Sequence, residues 1–346
     1  MKMAYFDCFA GAAGDMIAAA LLDAGLDPQF LRCQLATLGI EGLKVDIAET
    51  HRCGQRALTF RPSAPEQHHH RHLSDIVAII DGSGISPTAK KTAIGVFDTL
   101  ARAEATVHGT TPDRVHFHEV GAVDSIVDVV TAAIGLDALE IQRVFASTLS
   151  VGGGSIRAAH GTMPAPAPAT VEILREKGAP VRSGPAEMEL LTPTAAAILA
   201  TVVEAFTPLP PMSISAIGCG AGTFNSKAFP NVLRVFVGEE AACNDENADT
   251  VCVLESNIDD ATGEAIGAAM EELLRTGALD VYTIPIGMKG SRPATMLCVL
   301  CRPGDADILQ RMLFASGLTL GVRRQMMERS KLQRSFTCVQ TEYGPI

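Results

Sequence analysis

Between two strand-like runs, NVLRVFVG and VCVLESN, the chain carries EEAACNDENADT (239–250), an acidic, polar stretch without apolar periodicity. Such a stretch cannot continue a core element, so it separates two folding regions, 1–240 and 250–346. The histidines divide the same way. All nine lie at or before His160, so the two regions cannot share a histidine-based chemistry, and metal work falls to the first.

The first region alternates strands and helices. Met3 to Phe9 reads as a strand, Gly11 to Gly14 as a turn and Asp15 to Ala24 as a helix. Ser86 and Pro87 form a cap and first-turn proline opening a helix that stops at Gly109, and Thr192 with Pro193 opens another. A further helix is expected over Val123 to Leu139. MPAPAPAT (163–170) is expected to be an extended wall or turn, because proline is excluded from central strands and helix interiors. The second region reads strand, helix, strand, strand, helix, strand. The expected fold class is therefore an α/β N-terminal region plus a ferredoxin-like α+β C-terminal domain.

At 346 residues, with 47% hydrophobic and 19% charged residues, each region can bury a core. A net charge of −11 argues against nucleic acid as a partner, and anionic ligands would need local basic sites. Nine scattered cysteines suit reduced thiols in a cytoplasmic protein. Neither a signal peptide nor a membrane-spanning run is apparent.

HHHRHLSD places His68, His69, His70 and His72 just ahead of an apolar helix pattern. Neutral imidazole suits nickel, zinc and copper, so the cluster is either a divalent-metal loop or a solvated one. VHFHEVGAVDSIVD puts His116 and His118 on one side of an extended segment, followed by Glu119, while Asp124 and Asp128 share one helix face. These residues either converge on one ion or decorate a surface. DCFAGAAGD sets Asp7 at a strand end and Asp15 at a helix start, around a glycine-rich loop that lacks the P-loop lysine. Gly152 to Gly154 and His160 flank the proline-rich run and could form a pocket wall; GCGAGTFNS is a further glycine-rich place. Cys298 and Cys301 would face opposite sides of a strand and read as core. In the second region, Asp259, Asp260 and Glu264 with Lys289, Arg292 and Arg323 could serve a metal–nucleotide, or cap a helix and charge a hairpin.

Together FDCFAGAAGDM, the histidine run before LSDI, VHFHEVGAVDSIVD, HGTMPAPAPAT, LLTPTAAAIL, NIDDATGE and TLGVRR resemble the LarC family of nickel-insertion proteins over nearly the whole chain. The resemblance implies a cytoplasmic, CTP-dependent nickel chelatase. Such an enzyme inserts Ni²⁺ into pyridinium-3,5-bisthiocarboxylic acid mononucleotide, hydrolyses CTP with Mn²⁺ or Mg²⁺, and serves lactate racemase or a related enzyme. A homo-oligomer is expected. On this footing HHHRH captures nickel and passes it to an ordered site at His116, His118, Glu119 and Asp124. Asp7, Asp15 or His160 would take the proton displaced from the substrate ring, and the C-terminal region would bind CTP. Relatives continue past TEYGPI, so the C-terminal domain is expected to be incomplete. A nickel storage or delivery protein without covalent chemistry, and a metal-dependent nucleotide hydrolase, are the competing readings.

Overall fold

Strand β1 (Lys2–Asp7) buries Met3, Ala4, Tyr5 and Phe6 together, as suits a strand in the interior of a sheet, with a neighbour on each edge. In the computed structural model of the chain, residues 1–65, 71–115, 117, 122–158, 161–241, 248–332 and 339–345 are described. The chain divides into two units, Met1–Ala241 and Ala242–Ile346. The first unit continues through α1 (Gly14–Asp23), α2 (Pro28–Ala36), β2 (Lys44–Arg52), β3 (Gln55–Ser63), α3 (Leu73–Gly82), α4 (Pro87–His108) and α5 (Val123–Ala138). It goes on with β4 (Arg143–Ala146), β5 (Leu149–Ser150), β6 (Ser155–Ala158), β7 (Gly161–Pro164), α6 (Pro168–Lys177) and β8 (Val181–Arg182). It ends with α7 (Pro193–Val202), β9 (Ala205–Phe206), β10 (Met212–Ala221) and β11 (Val232–Glu240).

Among the described residues, seven of these strands form one mixed sheet in the order β2-β3-β10-β11-β1-β4-β9. β1, β4 and β9 run parallel, whereas β11 runs antiparallel to β1. Ala4 and Phe6 join the large core with α1, α4, α5 and α7, while Met3 and Tyr5 pack on Phe145 on the other side. The whole is a mixed α/β architecture.

Helix α1 is apolar nearly all round, and Met16 to Leu22 are all buried, as its place between the sheet and α5 requires. Gly218 and Gly220 make that approach possible. A Cβ on Gly218 would lie 1.9 Å from the Ala20 carbonyl oxygen, and one on Gly220 would lie 1.9 Å from that of Met16. The glycine-rich GCGAG is thus part of β10 and a helix seat.

The helix starts follow from local chemistry. The Ser86 hydroxyl accepts from the Ala89 N–H at 3.0 Å, that of Thr192 accepts from the Ala195 N–H at 3.3 Å, and Gly109 closes α4 at φ 63°. The proline-rich run meets the expectation of an extended wall or turn over 163–167 and departs from it at 168–170. Met163 and Pro164 end a two-stranded hairpin, and Pro168 and Thr170 lie inside α6, because proline at the first helical position loses no intrahelical bond.

The second unit contains β12 (Ala248–Ile258), α8 (Gly263–Arg275), β13 (Asp280–Met288), β14 (Arg292–Cys301), α9 (Ala306–Ala315) and β15 (Arg323–Ser330). Its antiparallel sheet has the order β13-β14-β12-β15, and one face packs Leu254, Leu297 and Val299 against Leu309 and Leu313. Thr262 caps α8 through a hydrogen bond from the Ala265 N–H at 3.3 Å, so the aspartates ahead of it are not the cap.

Candidate functional site

In a sheet with parallel strands, ligands bind beyond the strands' carboxyl ends, where the connecting loops diverge. That end of β1 and β4 is built from close backbone approaches. Gly11 has φ +85° and would carry a Cβ 1.9 Å from the Leu190 carbonyl oxygen; Gly152 has φ +83° and would carry one 1.7 Å from that of Met188. No larger residue fits either position. The loop after β1 is therefore pinned beside Leu190 and Leu191, with the Ala12 N–H donating to the Leu190 oxygen at 2.9 Å.

Asp7, the last residue of β1, stands opposite Arg234 of β11 and forms an ion pair with it. The Arg234 guanidinium also lies 5.3 Å over the Phe236 ring. The Asp7 carboxylate is thus engaged in holding two strands together.

Asp15, in the first turn of α1, is mostly buried and accepts a hydrogen bond from the Met16 N–H at 2.8 Å. Burial pushes its carboxyl pKa upward, with Asp124 adding to the rise, and the Met16 N–H and the Arg61 guanidinium oppose it. Asp128 of α5 is 8% exposed, and its Oδ1 has no hydrogen-bond partner among the described residues. Burial first, then the charges of Asp15 and Asp124, hold its pKa well above the usual carboxylate range. Gly14 lets this carboxyl sit against the start of α1, since a Cβ there would meet Asp128 Oδ2 at 2.7 Å. Asp124 itself is exposed and accepts from the Ser125 N–H at 2.7 Å.

A buried acid of this kind costs stability when ionised. Unfolded, Asp128 ionises near pH 4; folded, its pKa is raised. The folded chain therefore holds the extra proton between the two values, and stability falls as pH rises through that window. Asp128→Asn is expected to melt above the parent at pH 8, by roughly 2–4 °C for each kcal/mol of cost removed, with the difference vanishing toward pH 4. Equal melting temperatures at pH 8 would rule out the buried charge.

His72 is the N-cap residue of α3, and its backbone N–H donates to Asp75 Oδ2 at 2.9 Å. The preceding residue, Arg71, forms an antiparallel bridge with Phe117, whose N–H donates to the Arg71 oxygen at 3.3 Å. Phe117 is buried edge-on to Phe97, ring centroids 6.4 Å apart. His68, His69, His70, His116, His118, Glu119 and His160 lie outside the described residues. Among the described residues no group of three or more His, Cys, Asp or Glu side chains is placed to hold a metal ion.

In the second unit, Asn257, Asp259, Asp260 and Arg323 line a cavity of about 560 Å³ together with Gly317 to Val322. Arg323 donates to Glu255 at 3.1 Å and to Asn257 at 2.9 Å, and Arg292 pairs with Asp259 at 3.4 Å. Glu264 and Lys289 do not line this cavity, and Arg324 is taken up by Asp307 at 2.6 Å. The residues foreseen for a nucleotide are thus brought together only in part.

Sequence patterning underrated Asp128. Its four-residue spacing from Asp124 suggested a shared helix face, but burial against α1 depends on Gly14, a contact between elements remote in sequence.

The family described as nickel insertion protein matches residues 4–346 of this chain. A relative from Acaryochloris marina is 41% identical over 100% of this chain and 87% of its own length. One from Geobacillus kaustophilus, named pyridinium-3,5-bisthiocarboxylic acid mononucleotide nickel insertion protein, is 42% identical over 100% of this chain and 88% of its own. A solved structure titled "LarC2, the C-terminal domain of a cyclometallase involved in the synthesis of the NPN cofactor of lactate racemase, apo form" is 46% identical, covers 28% of this chain and 68% of its own, and has a TM-score of 0.28.

Proposed function

We propose that this chain, which belongs to the nickel insertion protein family, inserts nickel into pyridinium-3,5-bisthiocarboxylic acid mononucleotide. The observation that carries the reading is the match of residues 4–346 to that family, with a 42% identical relative named for this substrate. Its chemistry follows from the name. A metal held by sulfurs on the 3- and 5-substituents lies against ring carbon 4, so the C4–H bond must break as the nickel–carbon bond forms. The C–H electron pair becomes that bond, nickel stays divalent, and the proton needs an acceptor.

Asp15 is the acceptor in this account. It lies at the ligand-binding end of the sheet, and burial strengthens it as a base. Asp128 keeps its own proton, because burial and the Asp15 charge both oppose its ionisation. Asp7 is tied to Arg234 and is set aside. Nickel reaches the site through the histidines. The Arg71–Phe117 bridge supports this, since each of its residues stands between two histidines in the sequence, His70 and His72 on one segment, His116 and His118 on the other. Imidazole suits Ni²⁺, with Glu119 and Asp124 adding negative charge.

CTP is assigned to the second unit. Two carboxylates, Asp259 and Asp260, beside Arg323 in one cavity fit a Mn²⁺- or Mg²⁺-bound triphosphate. The reading extends to a cytoplasmic homo-oligomer that supplies apo lactate racemase or a related enzyme; no helix of the described residues is long and apolar enough to cross a membrane.

Changing His68, His69, His70 and His72 together to alanine is expected to weaken nickel uptake at limiting metal while leaving insertion intact at excess metal. Changing His116 and His118 is expected to abolish insertion at any nickel concentration. Activation of apo lactate racemase by product made with and without CTP and Mn²⁺ tests the whole reading. Nickel uptake with no activating product would leave only storage.

A further inference from the structure

Several arginines of the first unit are paired with carboxylates. Arg56 pairs with Asp23 and Glu49, Arg143 with Glu204 and Glu240, and Arg234 with Asp7. Arg182 differs. It has no carboxylate partner among the described residues, in a chain of net charge −11. Its Nε donates to Ser150 Oγ at 3.0 Å, and its guanidinium lies 5.6 Å over the Phe9 ring. Ser150 is fully buried, and its hydroxyl donates to the Phe9 oxygen at 2.7 Å. One N–H and one face of the guanidinium are therefore fixed, while the two terminal nitrogens make no hydrogen bond among the described residues. A guanidinium restrained in this way loses little freedom when it binds an oxyanion in a two-pronged manner.

Its position is as informative as its restraint. Phe9 follows the carboxyl end of β1 and Ser150 that of β4, the same end of the sheet that carries Asp15. In the substrate the sulfurs are committed to the metal, which leaves the phosphate as the anionic group to be held. We propose that Arg182, set by Ser150 and Phe9, forms the phosphomonoester subsite of the mononucleotide. This rests on the nickel-insertion reading.

The test is equilibrium binding of the mononucleotide and of its dephosphorylated nucleoside to the full chain, without nickel, in the parent and in Arg182→Met. Methionine keeps apolar contact with Phe9 and removes the charge. The parent should prefer the mononucleotide by about 10- to 100-fold, the range for a charged hydrogen-bond pair. Arg182→Met should bind both forms alike, with nucleoside affinity unchanged, which also reports an intact fold. A preference that survives in Arg182→Met would overturn the assignment, as would equal loss of both ligands in Arg182→Met. A parent that binds both forms equally removes the subsite and leaves the nickel-insertion reading standing. A parent that binds neither contradicts that reading itself.

Discussion

Asp15→Asn lowers the single-turnover rate of nickel insertion by about 10²- to 10⁴-fold, the range for loss of a general base, while the protein still binds nickel. Asparagine keeps the size of the side chain and an oxygen for the Met16 N–H, so α1 remains in place. What it loses is the capacity to accept the C4 proton. The pH profile carries the same signature. Because burial raises the Asp15 pKa, the parent rate should fall with decreasing pH at a midpoint above the usual carboxylate range, and that limb should be missing from the residual activity of Asp15→Asn. Asp7→Asn supplies the contrast, since Asp7 spends its charge on Arg234. Its effect should appear in thermal stability and leave the pH midpoint where it was. A full insertion rate in Asp15→Asn would move the proton to another group.

Gly220→Val is expected to prevent folding of the first unit. Its Cβ would fall 1.9 Å from the Met16 oxygen and 2.9 Å from the Ala20 nitrogen, both backbone atoms. Helix α1 would have to leave the sheet, which exposes its buried run from Met16 to Leu22. Destabilisation by more than about 4–5 kcal/mol follows, read as loss of the cooperative urea transition or of soluble protein. Gly267→Ala is the control. Gly267 lies inside α8 with open space where a Cβ would stand, so the substitution should stabilise the second unit by about 0.4–1 kcal/mol. A folded Gly220→Val would mean that α1 does not seat on β10 as described.

What the sequence disclosed was mostly local chemistry. Ser86–Pro87 and Thr192–Pro193 announced helix starts because a cap hydroxyl and a first-turn proline act within one turn, and Gly109 announced a stop for the same reason. Only the end of the proline-rich run misled, because Pro168 plays that helix-opening part, which the repeated Pro–Ala pattern conceals. Gly218 and Gly220 stood out only as part of a glycine-rich stretch, because nothing nearby in sequence reveals the α1 backbone pressing on them. Within the site, Asp7 and Asp15 were placed correctly at a strand end and a helix start, but their environments were not legible. Only the fold shows that Asp7 is spent on Arg234 and that Asp15 lies in a mostly buried setting near Asp128. Arg182 gave no signal, since its partners Phe9 and Ser150 are more than thirty residues away.

The central claim is that this chain replaces a ring proton by nickel. Mass spectrometry of the mononucleotide after a single turnover, with stoichiometric Ni²⁺ and substrate deuterated at C4, tests it most directly. The account predicts a product that has gained one nickel and lost the deuterium, with Asp15→Asn yielding little of it over the same time. Nickel that stays bound to the protein beside unchanged, fully deuterated substrate would contradict insertion and leave a metal-storage protein.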